Sequence, residues 1–270
     1  MAEVVILAVF LRRRRVFNSN DVLIALQGAL NTSQLYMVYQ PILNLHTQKI
    51  CGFEALMRWN SPDMGMISPD IFITLLEKSG SIASVEEMVS NPPWDVAVRW
   101  PENISLSINF SALELSDPQL PERVRRNLAF SGLAASRCEI EVTETAPIRD
   151  SLVASANMSA LKAMGVKLSL DDFGTGHANL DYLLKYPFDT LKIDKAFVAE
   201  IEPDTKSAKI VEGIIVLAHD FGIDVLAEGV ESKEQLDRLI RIGCDKAQGY
   251  YISHPVPAEN IPALLTQFNY

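Results

Sequence analysis

Seven polar residues stand at or just past the C-terminal ends of seven predicted strands: Glu54, Asn109, Glu141, Asp171, Lys192, Glu228 and Gln248. If strand–helix repeats close into a barrel, all of these strand ends meet on one rim. The carboxylates gathered there repel one another unless cations bind between them. Divalent metals resolve that repulsion, because hard cations prefer oxygen ligands. The convergence therefore reads as a metal-dependent enzyme rather than a plain α/β domain.

Each residue has a blander reading when taken alone. The adjacent pair Asp171-Asp172 could be an ordinary polar turn, but Phe173-Gly174-Thr175-Gly176 follows it, and two glycines permit tight backbone geometry beside a ligand. Lys192 lies between Leu191 and Ile193 inside a strand, where it could merely be salt-bridged. Glu228 and Glu231 flank Gly229-Val230 and could form the acidic first turn of the helix that starts near Ser232. Glu54 shares a strand face with Leu56 and Arg58, and an arginine fork suits phosphate. Glu141 and Glu144 have opposite parity, so Glu141 is expected to end its strand facing inward while Glu144 lies on the following loop. The four histidines form no HxxxH-type ligand pair and read as structural or solvent-facing.

The elements that must position these residues alternate along the chain. Residues 36–45 and 50–58 read as strands around the turn-like His46-Thr47-Gln48-Lys49. Ser68-Pro69-Asp70 opens a helix ending near Gly80. In residues 104–110, Ile104, Leu106, Ile108 and Phe110 point one way, leaving Ser105, Ser107 and Asn109 for the lumen. Strands over 139–143, 166–171, 190–193, 224–227 and 246–248 alternate with helices over 151–164, 181–185, 205–221 and 232–242. Such alternation implies parallel pairing with right-handed crossovers.

Composition sets the limits. The chain has 270 residues, enough for one barrel of about 250. A hydrophobic content of 48% is that of a globular protein, and a net charge of −10 argues against DNA or RNA as a partner. Cys51, Cys138 and Cys244 have no paired spacing, so neither a disulfide frame nor a zinc site is expected. Residues 1–20 read as a leader and 21–270 as the barrel domain. In that leader the apolar run Val4 to Leu11 precedes Arg12 to Arg15, an order that matches the cytoplasmic end of a membrane helix. Eight apolar residues are too few to span a bilayer, which takes roughly 20. The expectation is a cytoplasmic protein. Any membrane association would run through the leader or an upstream segment.

Taken in order, the motifs resemble the EAL domain, the family of cyclic di-GMP phosphodiesterases. They are Tyr39-Gln40-Pro41-Ile42, Glu54-Ala55-Leu56 with Arg58-Trp59, Asn109-Phe110-Ser111, Glu141-Val142-Thr143-Glu144, and Asp171-Asp172-Phe173-Gly174-Thr175-Gly176. Leu191-Lys192-Ile193-Asp194, Ala227-Glu228-Gly229-Val230-Glu231 and Gln248-Gly249-Tyr250 complete the set, over roughly Asp21 to Pro257. The resemblance implies a (β/α)₈ TIM-like barrel whose first strand runs antiparallel to the others. It implies two Mg²⁺ or Mn²⁺ ions, with Ca²⁺ inhibitory, and hydrolysis of cyclic di-GMP to linear pGpG. Glu54, Asn109, Glu141 and Asp171 match the ligands of one ion; Asp171, Asp172 and Glu228 match those of the other. Lys192 and Gln248 match residues that contact the attacking water. Gln40, Leu56 and Arg58 match the substrate-binding set, and Glu144 and Glu231 match supporting acids. It also implies a homodimer, with the loop from Phe173 to Asn179 beside the interface.

The chain departs from the family pattern in places. Asn91-Pro92-Pro93 should break or shift a helix, His177 replaces a common aromatic, and His254 stands before a proline where arginine or lysine is usual. A degenerate EAL domain that senses the dinucleotide without cleaving it is the alternative. A two-carboxylate glycosidase barrel leaves Asn109, Lys192 and Asp171-Asp172 unexplained.

Overall fold

The structure is a computed structural model that describes residues 19–29, 32–79, 92–143, 150–174, 180–202 and 205–268. Residues 1–18 of the leader with its arginines, Glu144 and residues 175–179 of the glycine loop lie outside the described residues. The chain divides into two compact units, residues 1–38 with 57–92, and residues 39–56 with 93–270.

The larger unit holds the barrel. Its strands are β1 (Leu35–Asn44) and β2 (Lys49–Ser61), both shared with the smaller unit, then β4 (Ser105–Phe110), β5 (Cys138–Thr143), β6 (Lys167–Phe173), β7 (Thr190–Ile193), β8 (Asp224–Ala227) and β9 (Lys246–Ala247). A short β3 (Gly65–Ile67) pairs only at the edge of β2. The order β1-β9-β8-β7-β6-β5-β4-β2, with β1 also pairing β2, closes eight strands into a TIM-like α/β barrel. The pairs from β2 through β4 to β9 are parallel, whereas β1 meets β9 antiparallel.

Sequence pattern explains the layering. In β4, Leu106, Ile108 and Phe110 are buried on one side, and Ser105, Ser107 and Asn109 alternate with them. All four residues of β7 and the last three of β8 are buried, as expected of strands covered on both faces. Helices follow with capping side chains. Asp150 accepts from the Leu152 and Val153 amides ahead of the helix Ser151–Ala163, and Thr205 accepts from Ala208 ahead of Lys206–Asp220. At the barrel floor the β1–β9 seam is only two residue pairs long. Beneath it the Asp245 carboxylate takes the Val225 amide at 2.8 Å, His219 at 2.8 Å and His46 at 3.2 Å. That gives two of the four histidines a structural place.

The smaller unit pairs the β2–β3 hairpin, Trp59 opposite Ile67, with the helices Ser19–Ala29 and Pro69–Ser79. The Trp59 ring stands edge-on to Phe72 at 5.9 Å. Ser68 starts the second helix with its carbonyl, which accepts from Ile71 at 3.1 Å, while its hydroxyl turns to Asp70.

Several elements were not read from the sequence: β3 and the helices Ser19–Ala29, Pro93–Ala97, Ala112–Leu115, Leu120–Ser131, Lys195–Ala199 and Ile261–Gln267. Some were legible. Ser111 and Glu114 form a reciprocal capping box spelled out by their spacing. A short helix starts at Pro93, the second of the two prolines, and residues 80–91 ahead of it lie outside the described residues.

Candidate active site

Each of the seven rim residues is carried by the larger unit, on or just past a strand. Lys192, in the middle of β7, is 1% exposed, and its ammonium is the hub. It contacts Glu141, Glu228 at 2.7 Å, Asp171 at 3.2 Å and Glu54 at 3.8 Å. Strands β2, β5 and β6 and the exit of β8 thus deliver one acid each to a single amine. Glu54 also accepts from Asn109 Nδ2 at 2.6 Å and from Gln248 Nε2 at 2.7 Å. Neighbouring strand registers make this geometry, since Asn109 sits opposite Glu141 on the β4–β5 pair.

Asp172 reaches the same place by breaking strand alternation. Between Leu170 and Phe173, β6 carries one residue more than the facing stretch of β7, a bulge. Asp172 within it has φ +58°, a left-handed conformation that side chains other than glycine adopt at a cost. A regular strand would send Asp171 and Asp172 to opposite faces. Here carboxylate oxygens of Asp171, Asp172 and Glu228 lie within 4.8 Å of one another. Backbone strain at a bulge is a common device for re-aiming side chains at functional sites.

One ammonium cannot balance five carboxylates. Burial would raise the Glu54 carboxyl, but Lys192 and the amides of Asn109 and Gln248 hold it below the ordinary glutamate range. Burial pushes Glu141 well above that range, Lys192 opposes the push, and Glu54 and Asp171 add to it. For the same reasons, with burial first, Glu228 is pushed up to about 8. Lys192 would lose affinity for its proton through burial, yet Asp171, Glu141, Glu228 and Glu54 raise it well above the usual lysine value. The Gln248 side-chain oxygen is buried and lacks a hydrogen-bond partner. A set of oxygen donors with surplus negative charge and an open acceptor fits hard divalent cations.

The remaining predicted residues are placed less centrally. Gln40 and Leu56 are half-buried in the larger unit. Arg58 belongs to the smaller unit, where Nη1 donates to the Met57 carbonyl at 2.8 Å. Glu231 is exposed, and its backbone amide donates to the Gln235 side chain at 2.7 Å. The sequence reading did not single out Gln235, although the Ser232-x-x-Gln235 spacing announces a capping box.

A mixed eight-stranded barrel with acids and one buried lysine on its C-terminal rim defines a TIM-like protein with an acidic cluster that could hold a metal ion, at the end of the barrel where barrel enzymes keep their sites. The chain belongs to the EAL domain family, whose profile matches residues 24–255. Among curated relatives it is 36% identical to the uncharacterized protein sll1895 of Synechocystis over 91% of this chain and 36% of the relative. It is 36% identical to the bifunctional diguanylate cyclase/cyclic di-GMP phosphodiesterase MucR of Pseudomonas aeruginosa, over 88% of this chain and 35% of MucR. A solved MucR phosphodiesterase structure in complex with cyclic di-GMP matches with TM-score 0.80 and 35% identity, covering 90% of this chain and 98% of that one. The chain therefore spans about a third of the length of the curated relatives it matches.

The raised carboxyls predict a pH-dependent metal effect. A carboxyl whose folded pKa lies above its unfolded value adds stability below the unfolded pKa, and loses it as pH rises through the folded one. For Glu228 that window runs from 4.5 to about 8. Metal loading should remove the penalty by competing with the proton. The difference in Tm between Mn²⁺-loaded and EDTA-treated protein should therefore widen from pH 5.5 to pH 8.5, as read by scanning fluorimetry. A gap that stays constant over that range contradicts the assignment of a raised Glu228.

Proposed function

We propose that this chain is a metal-dependent phosphodiesterase that hydrolyses cyclic di-GMP to linear pGpG. The observation that carries this reading is the buried Lys192 amine held among Glu54, Glu141, Asp171 and Glu228. The likeness to the MucR phosphodiesterase, solved with cyclic di-GMP, supports the substrate. Glu54, Asn109, Glu141 and Asp171 are assigned to one Mg²⁺ or Mn²⁺ ion, and Asp171, Asp172 and Glu228 to a second. When bound, such ions make a coordinated water acidic and offset charge building on the phosphoryl oxygens.

The chain's own groups do the rest. Lys192 stays an ammonium while its four acids face it, and its three N–H groups are then taken up by Glu141, Glu228 and Asp171; it is free to turn to the attacking water once those acids turn to bound cations. It can accept that water's proton only when the charge of those acids is offset by cations. Gln248 commits Nε2 to Glu54, which leaves Oε1 free to accept from the same water. Gln40, Leu56 and Arg58 are assigned to the dinucleotide, with the planar Arg58 fork suited to a phosphate. Glu231 is assigned as a supporting acid of the loop that carries Glu228. The decisive assay is chromatography of cyclic di-GMP incubated with the protein, with and without Mg²⁺. Appearance of pGpG only with the metal supports the enzyme. Tight binding without cleavage identifies a cyclic di-GMP receptor instead.

A homodimer is proposed as the working form. It would order the loop from Phe173 to Asn179, and so Asp171 and Asp172. Glu144 is assigned to anchor that loop, so Glu144→Ala should lower turnover by about 10-fold or more without removing a metal ligand. Sedimentation velocity with cyclic di-GMP in Ca²⁺, and specific activity across a dilution series, test this. A chain that stays monomeric at constant specific activity takes the dimer out of the mechanism. The domain is assigned to the cytoplasm, and among the described residues no helix is long and apolar enough to cross a membrane.

A further inference from the structure

The segment that carries Glu228 is fastened at every residue. The Glu228 amide donates to the Ile193 carbonyl at 3.0 Å, one residue beyond Lys192. Gly229 has φ +69°, and a Cβ there would lie 2.3 Å from the Lys195 side chain, so the turn is pressed against the exit of β7. The Val230 amide donates to the Gln248 carbonyl at 3.0 Å, and its own carbonyl accepts from Tyr251 at 2.9 Å. Gly249 is pressed onto Val230, since an added Cβ would sit 2.1 Å from the Val230 carbonyl oxygen. These anchors are backbone groups and close glycine contacts.

The far end of the segment is held by one side chain. Gln235 Oε1 accepts from the Glu231 amide at 2.7 Å and the Ser232 amide at 3.0 Å. Its Nε2 donates to the Val198 carbonyl at 3.3 Å. Val198 lies in the short helix Lys195–Ala199 that leaves β7, the strand carrying Lys192. Gln235 thus does two jobs with the two ends of its amide. The oxygen caps the helix Lys233–Arg241, as any glutamine or glutamate at this position could. The nitrogen ties that cap to the exit of the lysine strand, which a carboxylate cannot do because it has no donor.

We propose that Gln235 is a positioning residue for Glu228, setting its carboxylate against Lys192 and the Asp171–Asp172 pair through the Val198 tether. This rests on the metal-site reading given above. It assigns to a residue outside the rim a share of cation affinity, in the way that groups behind metal ligands hold them in place.

Two variants separate the cap from the tether. Gln235→Ala removes both, and Gln235→Glu restores the capping acceptor but sets a carboxylate oxygen against the Val198 carbonyl. Mn²⁺ binding by calorimetry and Tm in EDTA are measured on both, with Glu228→Ala as the reference. The expected result is that Gln235→Ala weakens Mn²⁺ binding about 10-fold, within the range for groups behind metal ligands, and lowers Tm. Gln235→Glu should recover part of the Tm lost in Gln235→Ala, through the restored cap, but not the parental affinity. If Gln235→Glu binds Mn²⁺ as the parent does, Gln235 is only a helix cap and the proposal is overturned. Parental affinity in Gln235→Ala overturns it as well. If Glu228→Ala itself binds Mn²⁺ as the parent does, the metal-site reading fails, and the failure is thereby told apart from that of the positioning role.

Discussion

In excess EDTA the protein should release no pGpG from cyclic di-GMP, and Mg²⁺ or Mn²⁺ should restore turnover. The expectation follows from charge and not only from kinship. The larger unit places four carboxylates around one buried ammonium, with Asp172 beside two of them, and burial with mutual repulsion already drives Glu141 and Glu228 upward. Without cations the acids are left to protons and to Lys192. Ca²⁺ should bind and inhibit, because its longer and more variable coordination suits the donors without setting the tighter geometry of Mg²⁺. The measurement is initial rate against free metal, followed by Ca²⁺ competition at fixed Mg²⁺. Full turnover in EDTA would remove the metal from the mechanism.

Lys192→Ala should reduce kcat by about 10²–10⁴-fold, the range for a group that handles a proton in the rate-limiting step. Substrate should still bind in Ca²⁺, since the lysine is assigned to the water and not to the dinucleotide. The variant also leaves Glu54, Glu141, Asp171 and Glu228 buried without their shared cation. Removing one partner of a buried ion pair costs about 3–5 kcal/mol. Its apo form should therefore melt well below the parent, and metal should recover more of its stability than of the parent's. Glu54→Ala should behave differently, losing metal affinity and turnover together, because Asn109 and Gln248 lose the carboxylate they both donate to. Calorimetry for the metal and single-turnover kinetics for kcat separate the two variants. A Lys192→Ala protein that cleaves at the parental rate makes the lysine structural.

The sequence by itself determined the barrel and the membership of its rim. Apolar alternation in segments such as residues 105–110 names the lumen-facing positions, and capping residues with alternating strands and helices force parallel pairing. Polar residues at successive strand ends then have nowhere to go but one rim. Short helices such as Lys195–Ala199 escaped that reading because a single turn carries too little periodicity.

Only the tertiary structure decided how the rim works. Strand parity separates Asp171 from Asp172, and it is the bulge with φ +58° at Asp172 that reunites them. Spacing could not tell that Lys192 would meet four acids at once, nor that Glu228 would be pushed up to about 8 while Glu54 is held low. Nor could it assign Arg58 to the smaller unit. The physical reason is that sequence periodicity encodes which face a side chain takes within one regular element. Charge balance depends instead on distances of a few ångströms between elements far apart in the chain, and those distances exist only once the barrel has closed.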